Sequence, residues 1–268
     1  MNMLSSVAPW DMVAEGYSDV TMEFFTEYAQ EALKLVGVDN QKHILDVACG
    51  PGTLSLLATQ TAASVKGIDF SQEMITILQN TIERDAHKNI EIFCGDAQQL
   101  PYQDAAFDAA FSMFGLMFFP DRMQGLREIR RTLKPGGKTL IASWAPTSQS
   151  PMMMLLFGAL KAMNPDIPEP QTDIESLENP EFFKNELEQA GFKQVEIIPI
   201  SKGFTIDSIE EFWEGMIKGS APLVMMKNNM PEDLWQEKNK IALDYLQSKI
   251  PTLPTSVTAE ALFGIGVK

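Results

Sequence analysis

Hydrophobic positions along this chain follow two alternating rhythms. Short apolar runs, each stopped by an acid, a glycine or a polar residue, are separated by stretches in which apolar residues return at three- and four-residue intervals. The first rhythm predicts buried strands and the second predicts helices packed on one face. Ile44-Leu45-Asp46-Val47, Val65 to Asp69, Ile90 to Cys94, Phe107 to Ser112 and Thr139 to Trp144 read as strands. Helical spacing covers about Val20 to Val36, then Met74, Ile75, Leu78 and Ile82 behind a Ser71 cap, then Leu126, Ile129 and Leu133. Lys134-Pro135-Gly136-Gly137 reads as a stop and turn. Residues 1–20, with Trp10 and Tyr17 in polar surroundings, read as loop. The alternation predicts an α/β fold built on a doubly wound parallel sheet.

Beyond Trp144 the pattern changes. Met152 to Met163 is markedly apolar and is broken by Pro165, Pro168 and Pro170. A helix restarts at Asn179-Pro180 and closes at Gly191, and Val195 to Ile200 reads as a strand. Residues 207–252 carry Phe212, Trp213 and Met216 on one face and a last helix over Leu234 to Ile250, before a final strand from Ala259 to Val267.

The candidate chemistry centres on Asp46-Val47-Ala48-Cys49-Gly50-Pro51-Gly52. A strand running into a glycine loop and a helix start lets backbone approach a ligand closely. Asp46 would repel the pyrophosphate of a dinucleotide, and Ser55 stands where the third glycine of G-x-G-x-x-G belongs. A ligand without phosphate and with positive charge suits both features; S-adenosylmethionine is such a molecule. Asp69, seventeen residues past Gly52, stands where a ribose-binding acid belongs, with a helix-capping role as the other reading. Gly95-Asp96-Ala97-Gln98 places a third acid after a strand, open to ligand binding or to an Asx-turn.

D-V-A-C-G-P-G, G-D-A and L-K-P-G-G resemble the motifs of class I S-adenosylmethionine-dependent methyltransferases, nearest to the ubiquinone and menaquinone biosynthesis C-methyltransferases. Ala48 replaces that family's usual first glycine. The resemblance implies a Rossmann-like doubly wound sheet of seven strands, mostly parallel, whose last strand returns antiparallel between strands five and six. It implies cofactor contacts at Asp46, Ala48, Gly50 and Gly52, and at the ribose acid Asp69. Phe70 and Met74 would lie near the adenine, Asp96, Ala97 and Gln98 would hold it, and Ser112, Met113 and Phe114 would meet the methionine part. Tyr17 is the candidate for an aromatic contact from the segment ahead of the glycine loop. Phe118 and Phe119 depart from the family, where histidines are frequent.

The expected organisation is a cap helix (1–40), a cofactor-binding core (41–145, continued at 179–206), lid inserts at 146–178 and 207–252, and a closing strand (253–268). Eight of the sixteen methionines fall in the inserts, which suits an adaptable apolar cover but also ordinary packing. Composition narrows the acceptor. A formal net charge of −15 opposes nucleic acid and anionic membrane surfaces, leaving a small molecule, apolar or aromatic. No apolar run is long enough to span a membrane, and two cysteines, Cys49 and Cys94, with no leader-like start fit a reducing cytoplasm. No His, Cys or carboxylate spacing predicts a metal site, and His43 and His87 precede their strands, at the edge away from the loop. Methyl transfer needs no protein nucleophile, so no catalytic residue is assigned. Two rival readings are an S-adenosylmethionine-binding regulatory protein without activity and an NAD(P)-dependent oxidoreductase.

Overall fold

The structure, a computed structural model, describes residues 3–168 and 176–268, apart from the side chains of residues 19–21. Pro170, expected to break the first insert, lies outside the described residues. The first helix, α1, spans Ala8–Val36 and ends on left-handed Gly37. This corrects the expectation of a loop up to residue 20. Pro9 in the first turn is compatible with a helix start. Val13 and Ala14 are buried against Met74 and Ala221, with Trp10, Tyr17 and Val224 packed beside them. Contacts distant in sequence stabilise turns whose mixed polarity hid the helical period.

The chain then alternates β1 (His43–Val47), α2 (Thr53–Ala58), β2 (Ser64–Asp69), α3 (Gln72–Arg84), β3 (Ile90–Cys94), β4 (Phe107–Met113), α4 (Arg122–Thr132) and β5 (Leu133–Trp144). After α5 (Pro151–Met163) and α6 (Pro180–Gln189) comes β6 (Lys193–Ile206). Helices α7 (Ile209–Gly219), α8 (Ala221–Asn228) and α9 (Glu232–Lys249) separate it from β7 (Thr255–Val267).

The strands form a seven-stranded sheet among the described residues, in the order β3-β2-β1-β4-β5-β7-β6. The first five pair in parallel, and β7 runs antiparallel between β5 and β6, as the resemblance implies. One face buries Leu45, Val47 and Ile141 under Leu126 and Ile129 of α4 and Phe183 and Leu187 of α6. The other buries Ile44, Phe111, Leu140 and Phe263 under α1 and α2, through Tyr28, Ala32, Leu54 and Ala58. Burial on both faces is why β1 reads as an apolar run rather than an alternation.

Strands β5, β6 and β7 are longer than their apolar stretches. Lys134 to Gly137, read as a turn, lies within β5, where pairing with β4 shifts register between Phe107 and Ala109. The upper halves of β6 and β7 pair from Ser201–Glu260 to Ile206–Thr255. They carry a third core, in which Met152 and Met163 of α5, Phe212 and Trp213 of α7, and Trp235 and Leu246 of α9 are buried. The two inserts thus pack on each other and on this raised strand pair.

Candidate functional site

The loop after β1 alternates into the left-handed region, with φ of 55° at Ala48, 54° at Gly50 and 97° at Gly52. Gly52 is the N-cap of α2. A Cβ there would be strained by the backbone angle and would lie 2.3 Å from Leu78 Cδ1 on α3, so glycine is favoured. A Cβ on Gly50 would meet no atom within 4 Å, and Gly50 lines a cavity of about 300 Å³.

That cavity opens where strands end. Ala48 follows β1, Asp69 closes β2, Gly95 and Asp96 follow β3, and Met113 closes β4 with Phe114 after it. Its remaining walls include Phe70, Met74, Ala97 and Gln98, and the first turns of α1 cover it through Trp10 and Tyr17. Behind Tyr17 a side pocket of about 50 Å³ shares Ala48, Gly50, Met113 and Phe114 and adds Asp46. The structure therefore brings twelve of the fourteen expected cofactor residues onto these two connected walls. The exceptions are Gly52, which turns the loop from beneath, and Ser112, buried within β4.

Two carboxylates define the electrostatics. Asp46 is 1% exposed and accepts a 2.7 Å bond from Ser55 Oγ. Burial dominates and, with the charge of Asp69, outweighs that bond, pushing the Asp46 carboxyl up to about 7. The position that breaks the glycine fingerprint thus supplies the donor to the buried acid. Asp69, 6% exposed, accepts from Gly50 N at 2.8 Å and from Ser71 N at 2.9 Å. Burial still pushes its carboxyl up to about 6 against those bonds. Ser71, not Asp69, caps α3, accepting from Met74 N while its hydroxyl donates to Asp11 at 2.5 Å. Among the described residues no lysine or arginine forms an ion pair with Asp11, Asp46 or Asp69. A cavity holding uncompensated carboxylates favours a cation and opposes an anion.

Asp96 makes the turn and also lines the cavity. It faces the cavity while its carboxylate accepts from Gln98 N at 2.8 Å, closing an Asx-type turn. Ser112 Oγ is a buried side-chain polar atom with no hydrogen-bond partner among the described residues. Cys49 is buried, and burial next to Asp46 and Asp69 pushes its thiol up, so it is a packing residue rather than a nucleophile. His43 and His87 are held elsewhere, by Ser64 Oγ and Thr59 Oγ1. Among the described residues, no group of three or more His, Cys, Asp or Glu side chains is placed to hold a metal ion. Nor is any helix among them long and apolar enough to cross a membrane.

Sequence reasoning singled out Phe118 and Phe119 but did not place Ser5, Trp10, Gly115 or Pro120 at the site. Trp10 lies against Phe118, with ring centroids 5.0 Å apart, and Ser5, Gly115, Phe119 and Pro120 complete the wall. Trp10, Val13, Ala14 and Tyr17 do recur at helical spacing behind Pro9, a signal diluted by Asp11 and Glu15. Gly115 is set by its neighbour: a Cβ there would lie 2.4 Å from Ala48 Cβ.

Because Gly50 combines left-handed backbone with open space, Gly50→Ala separates folding from ligand binding. Thermal unfolding is expected to show a loss of about 1–2 kcal/mol, the left-handed penalty of a side chain. Titration is expected to show a far larger loss of affinity, because the methyl group enters the cavity.

The family model described as a methyltransferase domain matches residues 45–141. Demethylmenaquinone methyltransferase of Listeria welshimeri is 36% identical over 125 residues, covering 45% of this chain and 52% of that protein. The chain thus spans about half the length of the Listeria relatives it matches. Ubiquinone/menaquinone biosynthesis C-methyltransferase UbiE of a Geobacter species is 32% identical over 188 residues, covering 64% of this chain and 79% of the relative. In fold, the chain is similar to the crystal structure of the YcgJ protein of Bacillus subtilis. The TM-score is 0.58 at 18% identity, covering 90% of this chain and 98% of the other.

Proposed function

The chain belongs to the class I S-adenosylmethionine-dependent methyltransferase family, in the group of the ubiquinone and menaquinone biosynthesis C-methyltransferases, and on that premise we propose that it moves a methyl group to a small apolar or aromatic molecule by in-line displacement. The observation that carries this reading is the counter-ion-free pair Asp46 and Asp69 beside a glycine loop whose open side is a cavity. The residues present fit the cofactor. Gly50 leaves a cradle that a Cβ would enter, and the acids match a ligand with a sulfonium and an ammonium group. The unpartnered Ser112 Oγ is a spare polar atom behind the expected methionine end.

Bound there, S-adenosylmethionine would supply an electrophilic methyl group, the sulfur keeping the electron pair of the bond it loses and the acceptor providing the pair for the new one. Asp69 would accept from the ribose hydroxyls, and Asp96 and Gln98 would meet the adenine edge. Phe70 and Met74 would pack on the adenine face. Asp46 would offset positive charge near the side pocket. Trp10, Tyr17 and Phe118 line the cavity beneath α1 and would shield the bound cofactor from water, which favours aligned transfer. The family model ends at residue 141, before both inserts, and we read the inserts as the parts of the chain that choose the acceptor.

Calorimetric titration with S-adenosylmethionine, S-adenosylhomocysteine and NAD tests the reading. Micromolar binding of the first two and none of NAD is expected, followed by product formation in an acceptor panel. Preference for NAD would overturn it.

A further inference from the structure

The Asp69 carboxylate is held through both of its oxygens. Gly50 N donates to Oδ2 at 2.8 Å and Ser71 N donates to Oδ1 at 2.9 Å. An ionised carboxylate offers about four lone-pair sites, so each oxygen keeps one for a ligand hydroxyl. Where those remaining sites point depends on where Gly50 and Ser71 stand. Gly50 is set by the left-handed turns of its loop. Ser71 is set by side-chain bonds.

Ser71 is fully buried, and its hydroxyl works in two directions. It accepts from Met74 N at 3.2 Å, which caps α3, and it donates to Asp11 at 2.5 Å. The cap uses a lone pair and leaves the single hydroxyl proton to Asp11, which fixes the rotation of the Ser71 side chain. Asp11 lies sixty residues earlier, half-buried in the first turn of α1. The backbone that carries it is anchored on both sides. Val13 and Ala14 are buried against Met74 and Ala221, and a Cβ on Gly16 would lie 2.8 Å from Lys218 O of α7. A chain of bonds thus runs from the cover of the cavity to the acid on its wall.

A capping serine needs no such distant partner. Ser208 caps α7 by accepting from Glu211 N and gives its proton to Glu210, two residues along. Glu73 stands in the same place after Ser71, yet it is exposed and the Ser71 proton goes to Asp11 instead. Nor does charge explain the choice. Burial is the main reason that the Asp69 carboxyl is raised, and the charge of Asp11 adds to it. What Asp11 supplies to its neighbour is a hydrogen-bond acceptor.

Resting on the cofactor assignment above, we propose that Asp11 is a positioning residue, which holds the Asp69 carboxylate through Ser71 in the orientation that accepts from both ribose hydroxyls. Asp11 itself does not line the cavity. It acts on the ligand only through the chain of bonds, and it makes ribose recognition depend on the seating of α1.

Titration with S-adenosylhomocysteine and with its 2′,3′-dideoxyribose analogue isolates what the two hydroxyls contribute. The native protein is expected to prefer the ribose by about a hundredfold, as two charge-assisted bonds imply. In Asp11→Ala that preference is expected to fall to about tenfold or less, through lost affinity for S-adenosylhomocysteine, with the analogue within about threefold of its native affinity. Asp11→Asn keeps an acceptor for Ser71 and is expected to restore the preference to within about threefold of the native one. Val224→Ala loosens the packing of α8 on α1 without touching the chain of bonds, so it is expected to melt lower and keep the native preference. Asp11→Ala with the native preference, Asp11→Ala weakening both ligands alike, or Asp11→Asn losing as much as Asp11→Ala would overturn the positioning role. Equal native binding of the two molecules would remove the ribose role of Asp69 and this role of Asp11 with it. Failure of S-adenosylhomocysteine to bind the native protein at all would instead overturn the methyltransferase reading.

Discussion

Asp69→Ala is expected to weaken binding of S-adenosylmethionine and S-adenosylhomocysteine alike, by about a hundredfold or more, while changing thermal stability far less. The affinity loss follows from the proposed role. A carboxylate accepting from both hydroxyls of a ribose makes two charge-assisted bonds, each worth about 1.5–3 kcal/mol. Both ligands carry that ribose, so both should suffer. Stability responds to two opposing changes. Alanine removes the acceptor for Gly50 N and Ser71 N, which loosens the glycine loop. It also removes a buried carboxylate whose charge the fold disfavours, since burial raises it from 3.8 to about 6. The cost of that charge is absent below about pH 4 and complete above about pH 6, so the native protein loses stability as pH rises through this window. The melting difference between variant and native protein should therefore be most unfavourable at the acid end and shrink by pH 8. Titration of both ligands, with melting curves at pH 4.5 and 8, checks both halves. Unchanged affinity would reduce Asp69 to a loop-holding residue.

The sheet and its acids were legible because parallel strands buried on both faces leave uninterrupted apolar runs, against which an acid stands out. Asp46, Asp69 and Asp96 each mark the carboxyl end of such a run, and the structure sets all three on connected cavity walls. The return of β7 between β5 and β6 could be expected only from the resemblance; no local pattern encodes it. What escaped the sequence was set by partners far along the chain. The first turns of α1 are fixed by Met74 and by Ala221 and Val224 of the second insert, so their helical period is short and mixed. Ser55 reads as a missing glycine until its hydroxyl is seen on Asp46. The same limit applies to the inserts. Their methionines are visible in sequence, but the third core exists only because α5, α7 and α9 pack on the raised ends of β6 and β7.

Asp46→Asn is expected to move stability and affinity in opposite directions. Asp46 is almost fully buried with Ser55 Oγ as its hydrogen-bond donor and Asp69 as a like-charged neighbour. Its carboxyl is raised from 3.8 to about 7, so its charge costs the empty fold nothing below about pH 4 and the full amount above about pH 7. At about 1.36 kcal/mol per pKa unit, that full amount is on the order of 4 kcal/mol. Asparagine keeps an acceptor for Ser55 and carries no charge. The variant should melt within about a degree or two of the native protein at pH 4 and about 8 °C or more above it at pH 8, given roughly 2–4 °C per kcal/mol in proteins approaching this size. Affinity should fall in return, and unequally. S-adenosylmethionine carries one more positive charge than S-adenosylhomocysteine, so losing a buried carboxylate should cost the former about tenfold and the latter less. Native binding of the cation near pH 7 should also release protons as Asp46 ionises, giving a heat that varies with the ionisation enthalpy of the buffer. A variant less stable than the native protein at pH 8, or one that weakens both ligands equally, would show that Asp46 holds the loop in place and does not balance the charge of the cofactor.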